Sequence, residues 1–221
     1  MRYLITLPWM PYPATDGGKQ GSFNMLMELQ NMIDITLIYP VFFKKQMACQ
    51  YLLEKQLPKV KVYPFEYYKN KDGIKSQYSL FRLHRIITRK FLKQPYLATP
   101  IYKDAYIDFV NEIIKKDRID IVQNEYFEQL YMVYAIPNTV KKVFIQHEIQ
   151  YIAKERLFQQ REYPSSVRYL ATMQRIQEIN ALNEYDQVIT MTDIDKNILM
   201  CDGVRAPISA SPSFIPLFSY G

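Results

Sequence analysis

The chain has 221 residues, 48% of them apolar, and a formal net charge of +6 at pH 7. This length and apolar fraction suit one large α/β domain with a buried core, and they exclude a wholly disordered protein. The positive charge favours anionic partners, and nucleotide phosphates, nucleic acid and acidic lipid surfaces are all compatible with it.

Cysteine usage and hydropathy bound the cellular setting. The two cysteines, Cys49 and Cys201, form no C-x-x-C motif, which fits free thiols in a reducing cytoplasm and gives no sign of a metal site. The apolar run at the N-terminus is short and is broken by Pro8, unlike a signal peptide. No stretch approaches the roughly 18 apolar residues of a membrane-spanning helix. We therefore expect a cytoplasmic protein.

The first thirty residues organise the predicted fold. Residues 2–7 are predicted as a strand, and a loop rich in proline and glycine precedes a helix that begins after Ser22. This arrangement presents backbone N–H groups to an anion at the helix start. The pair Gly17-Gly18 allows a turn with positive φ and the close approach of a ligand, and Lys19 adds a positive charge. The alternative is an ordinary turn with Ser22 as N-cap.

Strand and helix patterns alternate along the rest of the chain. Further strands are predicted at residues 34–39, 60–65, 119–123, 142–146 and 186–191, and one more begins near residue 206. Helices are predicted at residues 44–56, 101–116, 127–136 and 151–183 (the last interrupted near Pro164), and Thr192 with Asp195 forms a capping box for a helix that ends before Gly203. The alternation predicts an α/β fold: a Rossmann-like, doubly wound, mostly parallel sheet with helices on both faces.

Two predicted helices carry more specific expectations. In the helix at residues 44–56, Met47, Tyr51 and Leu52 are expected to face inward. The helix at residues 75–93 is basic, contains no acidic residue and is apolar on its opposite side. Such a helix can lie on an anionic membrane, and the alternative is a solvated outer face of a basic protein.

Polar residues follow the predicted strands at three places. Besides the glycine loop, Asn124-Glu125 and His147-Glu148 come directly after strands. In doubly wound sheets, ligands bind beyond the carboxyl ends of the strands. We therefore expect the three strand ends to line one crevice.

Each candidate residue has a functional and a structural interpretation. His147 can donate a hydrogen bond to a sugar hydroxyl or a phosphate oxygen, or it can be a structural histidine bonded to a neighbouring loop. Glu125 can accept from sugar hydroxyls or act as a base, or it can be a solvated loop carboxylate. Asp16 can orient the glycine loop or an acceptor hydroxyl, or simply form a turn. Glu148 is a further candidate for substrate binding.

Other kinds of chemistry find no motif in the sequence. There is no G-x-S-x-G elbow and no H-E-x-x-H spacing, so neither nucleophilic catalysis nor a metal site is expected. The glycine loop also lacks both the P-loop signature and the G-x-G-x-x-G signature of dinucleotide-binding proteins.

Four stretches carry a resemblance to a known family: MRYLITLPWMPYPATDGGKQGSFNMLMEL, IDIVQNEY, KVFIQHEI and EYDQVITMTDIDKNIL. In this order they resemble the N-terminal half of GT-B glycosyltransferases, particularly the retaining family-4 group. In that family a proline-containing first loop ends in a glycine pair, and a later strand ends in a histidine. A Ser/Thr-led helix follows a D-x-V-I-x-x-[ST] strand. The resemblance covers nearly the whole chain.

The resemblance implies a transferase that moves a sugar from a nucleotide sugar to a glycan or lipid-linked acceptor, with retention and without a metal or other cofactor. Gly17 and Gly18 would lie near the diphosphate and the acceptor, and His147 would face the transferred sugar. Glu125 is carried over as a substrate contact. The leaving diphosphate is expected to help take the acceptor's proton, while the protein supplies orientation and charge stabilisation.

The resemblance also implies a domain organisation. Residues 1–205 would form the acceptor-side domain, and residues 206–221 would begin an interdomain linker. The C-terminal domain that binds the donor in this family would be missing. We therefore expect residues 1–221 to be inactive alone.

Two other classes of protein compete with this interpretation. The first is a self-contained sugar- or phosphate-binding module that acts with a separate catalytic partner. The second is a nucleic-acid-binding protein, suggested by the charge and the 19 tyrosines. The second is disfavoured because the aromatic residues lie mostly in apolar helical faces and do not interleave with a basic strand surface.

Overall fold

The computed structural model describes residues 1–69, 104–160, 162 and 164–212. Seven strands in these residues form one parallel sheet. They are β1 (Arg2–Thr6), β2 (Asp34–Val41), β3 (Lys61–Glu66), β4 (Ile121–Glu125), β5 (Lys141–Gln146), β6 (Gln187–Thr190) and β7 (Ile208–Ala210).

The order of the strands defines where a ligand crevice lies. It is β3-β2-β1-β4-β5-β6-β7, so the chain moves outward from β1 to β3 and then returns to the other side of β1 with β4. The reversal between β1 and β4 is the topological switch point of the sheet. Open α/β sheets bind ligands at the carboxyl ends of the strands at this point.

Helices connect the strands. Within the described residues they are α1 (Gly17–Leu29), α2 (Gln50–Gln56), α3 (Asp104–Lys116), α4 (Gln150–Gln160), α5 (Ser165–Leu182) and α6 (Asp193–Cys201), with 3₁₀ segments at Lys44–Cys49, Tyr67–Lys69 and Phe127–Tyr134. The predicted break near Pro164 separates α4 from α5. The predicted cap of α6 is also present, because Thr192 Oγ1 accepts from the backbone N–H of Asp195 at 3.0 Å.

Both faces of the sheet are covered, which explains why its central strands are apolar throughout. Leu4 of β1 packs in one buried cluster with helix α3, whereas the next residue, Ile5, packs in a second cluster with Leu26 of α1. A third cluster joins Phe144 of β5 to residues of α5 and α6. Successive strand residues point to opposite faces, so a strand buried on both faces is apolar at successive positions. The Rossmann-like, doubly wound fold predicted from the sequence is confirmed.

Several predicted element boundaries were wrong. Strand β2 does not stop before Pro40 but continues to Val41. Pro40 has the same orientation as Ile38, whose carbonyl oxygen faces β1 and accepts from Leu7 N at 3.0 Å. Because β1 ends at Thr6, the N–H that Pro40 lacks falls beyond the end of the neighbouring strand, and no ladder hydrogen bond is lost. Strand β4 is also shifted, since it ends at Glu125 and not at residue 123.

The predicted helix at residues 44–56 is divided into a 3₁₀ segment and α2. Tyr51 and Leu52 are 71% and 44% exposed, while Leu53 is fully buried, so their predicted inward orientation was wrong. A 3₁₀ turn has three residues per turn and an α-helix has 3.6, so a change of helix type rotates the buried face.

Two further expectations concern the ends of elements and the membrane. The predicted strand near residue 206 is present as β7, within the stretch expected to begin a linker. The predicted basic helix at residues 75–93 lies outside the described residues. Among the helices that the structure describes, none is both long enough and apolar enough to cross a membrane.

Candidate functional site

The candidate site lies where β1, β4 and β5 end. Glu125 is the last residue of β4 and is 1% exposed, and His147 directly follows β5 with 25% of its side chain exposed. The chain after β1 leads to the start of α1 at Gly17. Since parallel strands end at one edge of the sheet, the topology brings these residues together, as the strand-end rule predicts.

Glu125 is a buried carboxylate that receives side-chain hydrogen bonds from two elements. Gln123 Nε2 donates to Glu125 Oε1 at 2.7 Å. Ser22 Oγ of α1 donates to Oε2 at 3.2 Å. Burial of an unpaired carboxylate is costly, so these donors are what allow an acidic side chain to sit here. The alternative of a solvated loop carboxylate was wrong.

His147 pairs with this carboxylate. Its Nε2 lies 3.2 Å from Glu125 Oε2, and an ionised carboxylate can only accept a hydrogen bond. The proton therefore resides on Nε2 of the neutral ring, which leaves Nδ1 as the nitrogen able to accept a proton or a hydrogen bond from a ligand. On protonation the ring becomes a cation whose charge Glu125 balances.

Tyr126 connects His147 to the start of α1. Its ring stacks on the His147 ring with centroids 4.0 Å apart and planes inclined by 6°, and its hydroxyl donates to the carbonyl oxygen of Gly18 at 2.7 Å. The Tyr126 hydroxyl also lies 3.0 Å from Ser22 Oγ. Burial, together with the nearby charge of Glu125, raises the pKa of Tyr126 to about 12, so the phenol is neutral at physiological pH.

The Tyr126 backbone is held in an uncommon conformation. Its φ is +66°, in the left-handed region that residues with a Cβ seldom adopt. This turn directs the chain out of β4 with the ring between His147 and α1. The indole of Trp9 packs against the other side of this group, with its ring centroid 4.5 Å from that of Tyr126.

Helix α1 begins five residues earlier than predicted. Asp16 is its N-cap and accepts from the backbone N–H of Lys19 at 2.9 Å, so Ser22 is not the cap. That hydrogen bond lowers the pKa of Asp16, and the nearby Lys19 ammonium lowers it further. Lys19 Nζ lies 3.2 Å from Asp16 Oδ2. The acidic and basic candidates of this loop therefore pair with each other.

The two glycines have different surroundings, and neither has the positive φ expected from the sequence. A Cβ at Gly18 would lie 3.3 Å from the Tyr126 hydroxyl oxygen, so Gly18 permits the close approach of a protein side chain. A Cβ at Gly17 would meet no atom within 4 Å. Gly17 is exposed at the first position of α1, where an external ligand could approach its backbone.

Glu148 is placed differently from the other candidates. Its side chain is exposed and accepts from Gln150 Nε2 at 2.8 Å, and its carbonyl oxygen accepts from Gln146 Nε2 at 2.8 Å. The described contacts therefore join it to the start of α4, whereas Gly18, Glu125 and His147 are joined through Tyr126.

Three contributors to the site were missed by sequence reasoning: Ser22, Tyr126 and Trp9. Ser22 and Tyr126 contact residues more than 100 positions away, which local pattern does not reveal. Only the position of Tyr126, one residue past a predicted strand end, could have indicated it. No group of three metal-binding side chains occurs in the described part of the chain.

Comparison with known proteins gives a fold and no family. No family model matches the chain, and no curated protein matches it. Among solved structures it is similar to Glycyrrhiza uralensis UGT73P12, complexed with glycyrrhetinic acid 3-O-monoglucuronide, with a TM-score of 0.51 and 9% sequence identity. The match covers 95% of this chain and 48% of that one.

The similarity covers about half of a longer protein. The Rossmann-like sheet of this chain matches a GT-B glycosyltransferase, so the class of fold expected from the sequence is supported by an independent comparison. At 9% identity the likeness concerns the fold alone.

Proposed function

We propose that this chain is the acceptor-side half of a GT-B glycosyltransferase. It would move a sugar from a nucleotide sugar to a glycan or lipid-linked acceptor. The observation that carries the proposal is the hydrogen-bonded pair of Glu125 and His147 at the switch-point crevice. The GT-B-like fold and the motif resemblance support the same reaction class.

His147 is the residue proposed to touch the reacting groups. Glu125 fixes the ring through Nε2, so Nδ1 faces the role of contacting the transferred sugar or the acceptor hydroxyl. Retention of configuration, implied by the family-4 resemblance, would use His147 for orientation and charge stabilisation. A buried carboxylate behind a histidine also suits a general base, which would deprotonate the acceptor hydroxyl and give inversion.

The start of α1 is proposed to bind the donor diphosphate. Exposed Gly17 offers a backbone N–H at a helix N-terminus, where the helix dipole favours anions. Lys19 supplies a cation, although Asp16 partly neutralises it. A diphosphate would therefore compete with Asp16 for the Lys19 ammonium and the first-turn N–H groups.

The test is a transfer assay on the longest native chain that contains these 221 residues. Nucleoside diphosphate sugars are supplied with candidate acceptors, and release of nucleoside diphosphate is measured. His147→Ala should lower kcat by about a hundredfold, since a positioned acid–base or charge-stabilising group contributes about 10²–10⁴. Glu28→Gln, an exposed carboxylate change on α1, is the matched control and should leave kcat unchanged. Full activity of His147→Ala would reject the proposed role.

Product stereochemistry separates the two roles of His147. The anomeric configuration of the first product, read by NMR before mutarotation, should match the donor if the resemblance to the retaining group holds. The opposite configuration would assign His147 as a general base.

The remaining expectations have their own tests. Residues 1–221 alone are expected to show no turnover, and sugar binding without turnover by any longer native chain would favour a binding module with a separate catalytic partner. Membrane docking through residues 75–93 is tested by co-sedimentation with anionic vesicles at low salt.

A further inference from the structure

A second buried carboxyl group lies behind the His147 loop, and the proposed mechanism does not use it. Glu178 belongs to α5 and is fully buried. Helix α5 packs against α4 and against the 3₁₀ segment Phe127–Tyr134. The carboxyl group thus lies between the elements that flank the candidate site on the β5 side.

Glu178 holds both ends of the segment that carries His147. Gln146, the last residue of β5, donates from Nε2 to Glu178 Oε1 at 3.0 Å. Gln150, the first residue of α4, donates its backbone N–H to the same oxygen at 3.2 Å. The His147 loop is therefore closed by one carboxyl oxygen that joins the end of a strand to the start of a helix.

Gln146 adds a further hydrogen bond inside this loop. The same Nε2 donates to the carbonyl oxygen of Glu148 at 2.8 Å. Together with the two bonds to Glu178, this leaves little freedom for the loop backbone between Gln146 and Gln150. The His147 ring has to reach both the Tyr126 ring and Glu125 Oε2, so its backbone position decides whether it can do so.

We propose that Glu178 is a positioning residue for His147, acting by tying the end of β5 to the start of α4. The role rests on the function proposed above for His147. Glu178 itself touches no reacting group. Its effect on sugar transfer passes through the stacking of His147 on Tyr126 and the hydrogen bond from His147 to Glu125.

The polar atoms around Glu178 match a neutral carboxylic acid. Among the described residues, Glu178 Oε2, Gln146 Oε1 and the hydroxyl of Tyr131 are buried and have no hydrogen-bond partner. An acid proton on Oε2 supplies a donor, and Gln146 Oε1 is an acceptor that lacks one. A protonated Glu178 and the Gln146 amide can therefore pair through both of their polar atoms.

The electrostatic surroundings agree with this protonation state. Burial raises the pKa of Glu178 to about 7, against the hydrogen bonds from Gln150 and Gln146, which lower it. The titratable groups that act on it from packed elements are Lys154 and Tyr151 of α4 and Tyr131 of the 3₁₀ segment. Lys154 is the cation of this set, and its effect ranks last among the causes for Glu178.

The protonation argument determines the variants. Glu178→Gln keeps an oxygen acceptor and places N–H donors where the acid proton would be, so it mimics the neutral acid. Glu178→Ala removes the connection. Leu182→Ala, a fully buried position on the same helix, destabilises α5 packing without removing a loop hydrogen bond and serves as the matched control. Gln146→Leu removes the connection from the other side if Glu178→Ala does not fold.

The first measurement is independent of activity. The chain has two histidines, His84 and His147, so the imidazole Cε1–H resonances can be assigned with a His147→Gln variant. Stacking on Tyr126 shifts the His147 resonance through the ring current of the phenol. Glu178→Ala or Gln146→Leu should move this resonance, whereas Glu178→Gln and Leu182→Ala should leave it in place. An unmoved resonance in folded Glu178→Ala or Gln146→Leu overturns the proposal.

The second measurement is transfer kinetics on the longest native chain. Glu178→Ala should lower kcat by about tenfold or more with little change in the KM for the donor, because misplacement of an acting group costs rate. Glu178→Gln should restore kcat. If the resonance moves in Glu178→Ala while His147→Ala retains full activity, the positioning of His147 stands and the proposed function fails. If His147→Ala is inactive while the resonance is unmoved, the reverse holds.

Discussion

Glu125 and Glu178 are both buried carboxyl groups at the β5 side of the sheet, yet their surroundings differ in kind. Glu125 ends β4 and receives hydrogen bonds from the side chains of Ser22 and Gln123, with the His147 ring as a third partner. Glu178 is inside α5 and receives its bonds from the Gln146 amide and the Gln150 backbone. One carboxyl group is matched with a side chain that can become a cation, and the other with neutral donors only.

This difference separates a group suited to chemistry from a group suited to support. A carboxylate beside a histidine can balance a positive charge as it forms on the ring, so ionisation of Glu125 is useful. Ionisation of Glu178 has no such partner within hydrogen-bonding distance, and its burial favours the neutral acid. The same residue type thus serves two purposes because of what donates to it.

The sharpest way to break this comparison is to make one substitution at both places. Glu125→Gln keeps the size but removes the charge behind His147, so kcat for sugar transfer should fall by about a hundredfold. Glu178→Gln should leave kcat within about twofold, because it mimics the neutral acid. Transfer assays on the longest native chain check both values. Equal losses in the two variants would mean that the two carboxyl groups do not differ in the way described.

The next test uses the pH dependence of stability. The pKa of Glu178 is about 7 in the folded protein, against a model value of 4.5. Because the folded-state pKa is raised, the stabilisation relative to an ionised group is complete below pH 4.5 and is lost as the pH rises through 7. The free energy of unfolding of the wild type, minus that of Glu178→Gln, should therefore fall by up to about 3 kcal/mol between pH 4.5 and pH 8.

Urea unfolding of the two proteins across this pH range measures the difference, and groups shared by both cancel. A pH-independent difference would show that Glu178 has the same protonation state folded and unfolded. The same experiment with Glu125→Gln provides the contrast, since the pairing of Glu125 with His147 couples its titration to that of the ring.

The fold was predictable because its signals are local. Apolar runs such as Leu4–Ile5 and the caps at Pro164 and Thr192 are read within a few residues, and the order of strands and helices follows from them. The errors also have local causes. Tyr51 and Leu52 were assigned to the wrong face because the segment changes from 3₁₀ to α geometry, which rotates the pattern.

The candidate site was only partly predictable because its contacts are long-range. The strand-end rule located Glu125 and His147, but not the hydrogen bond between them. Ser22 was taken as a possible cap because serine is common there, whereas its hydroxyl serves Glu125 from 103 residues away. Glu178 has no sequence signal at all, since a glutamate inside a helix is ordinarily solvent-exposed.

A smaller effect should distinguish the two glycines that precede the Glu125 site. Gly18→Ala places a Cβ 3.3 Å from the Tyr126 hydroxyl oxygen, which must shift and should cost about 1 kcal/mol of stability. Gly17→Ala meets open space and should be neutral or stabilising by a few tenths of a kcal/mol. Thermal unfolding measures both changes. Trp9, the single tryptophan of the chain and a neighbour of Tyr126, reports the displacement through its fluorescence.

The activity of the same pair of variants tests the proposed diphosphate site. Gly17→Ala should weaken donor binding without a loss of stability if a phosphate approaches the backbone there. Full donor affinity in Gly17→Ala would argue that no ligand comes close to Gly17, and Glu125 with His147 would then have to act with a donor held elsewhere.

The smallest expected effect concerns Asp16, a carboxyl group that is exposed and paired with a cation. Asp16→Asn keeps an oxygen that can cap α1, so stability at neutral pH should change by less than about 0.5 kcal/mol. Removing its charge from the helix start frees Lys19, and pyrophosphate should bind about two- to fivefold more tightly, in line with the 0.3–1 kcal/mol of a charge at a helix end.

Isothermal titration with pyrophosphate measures this affinity, and Asp193→Asn is the matched control because it removes an exposed carboxylate from the first turn of α6. Tightening in Asp16→Asn alone would place an anion at α1, next to the Glu125–His147 pair and within reach of the reacting sugar. Equal affinity in both variants and the wild type would remove the α1 terminus from the proposed site. His147 would then remain with Glu125 as the part of the mechanism that this half of the fold supplies.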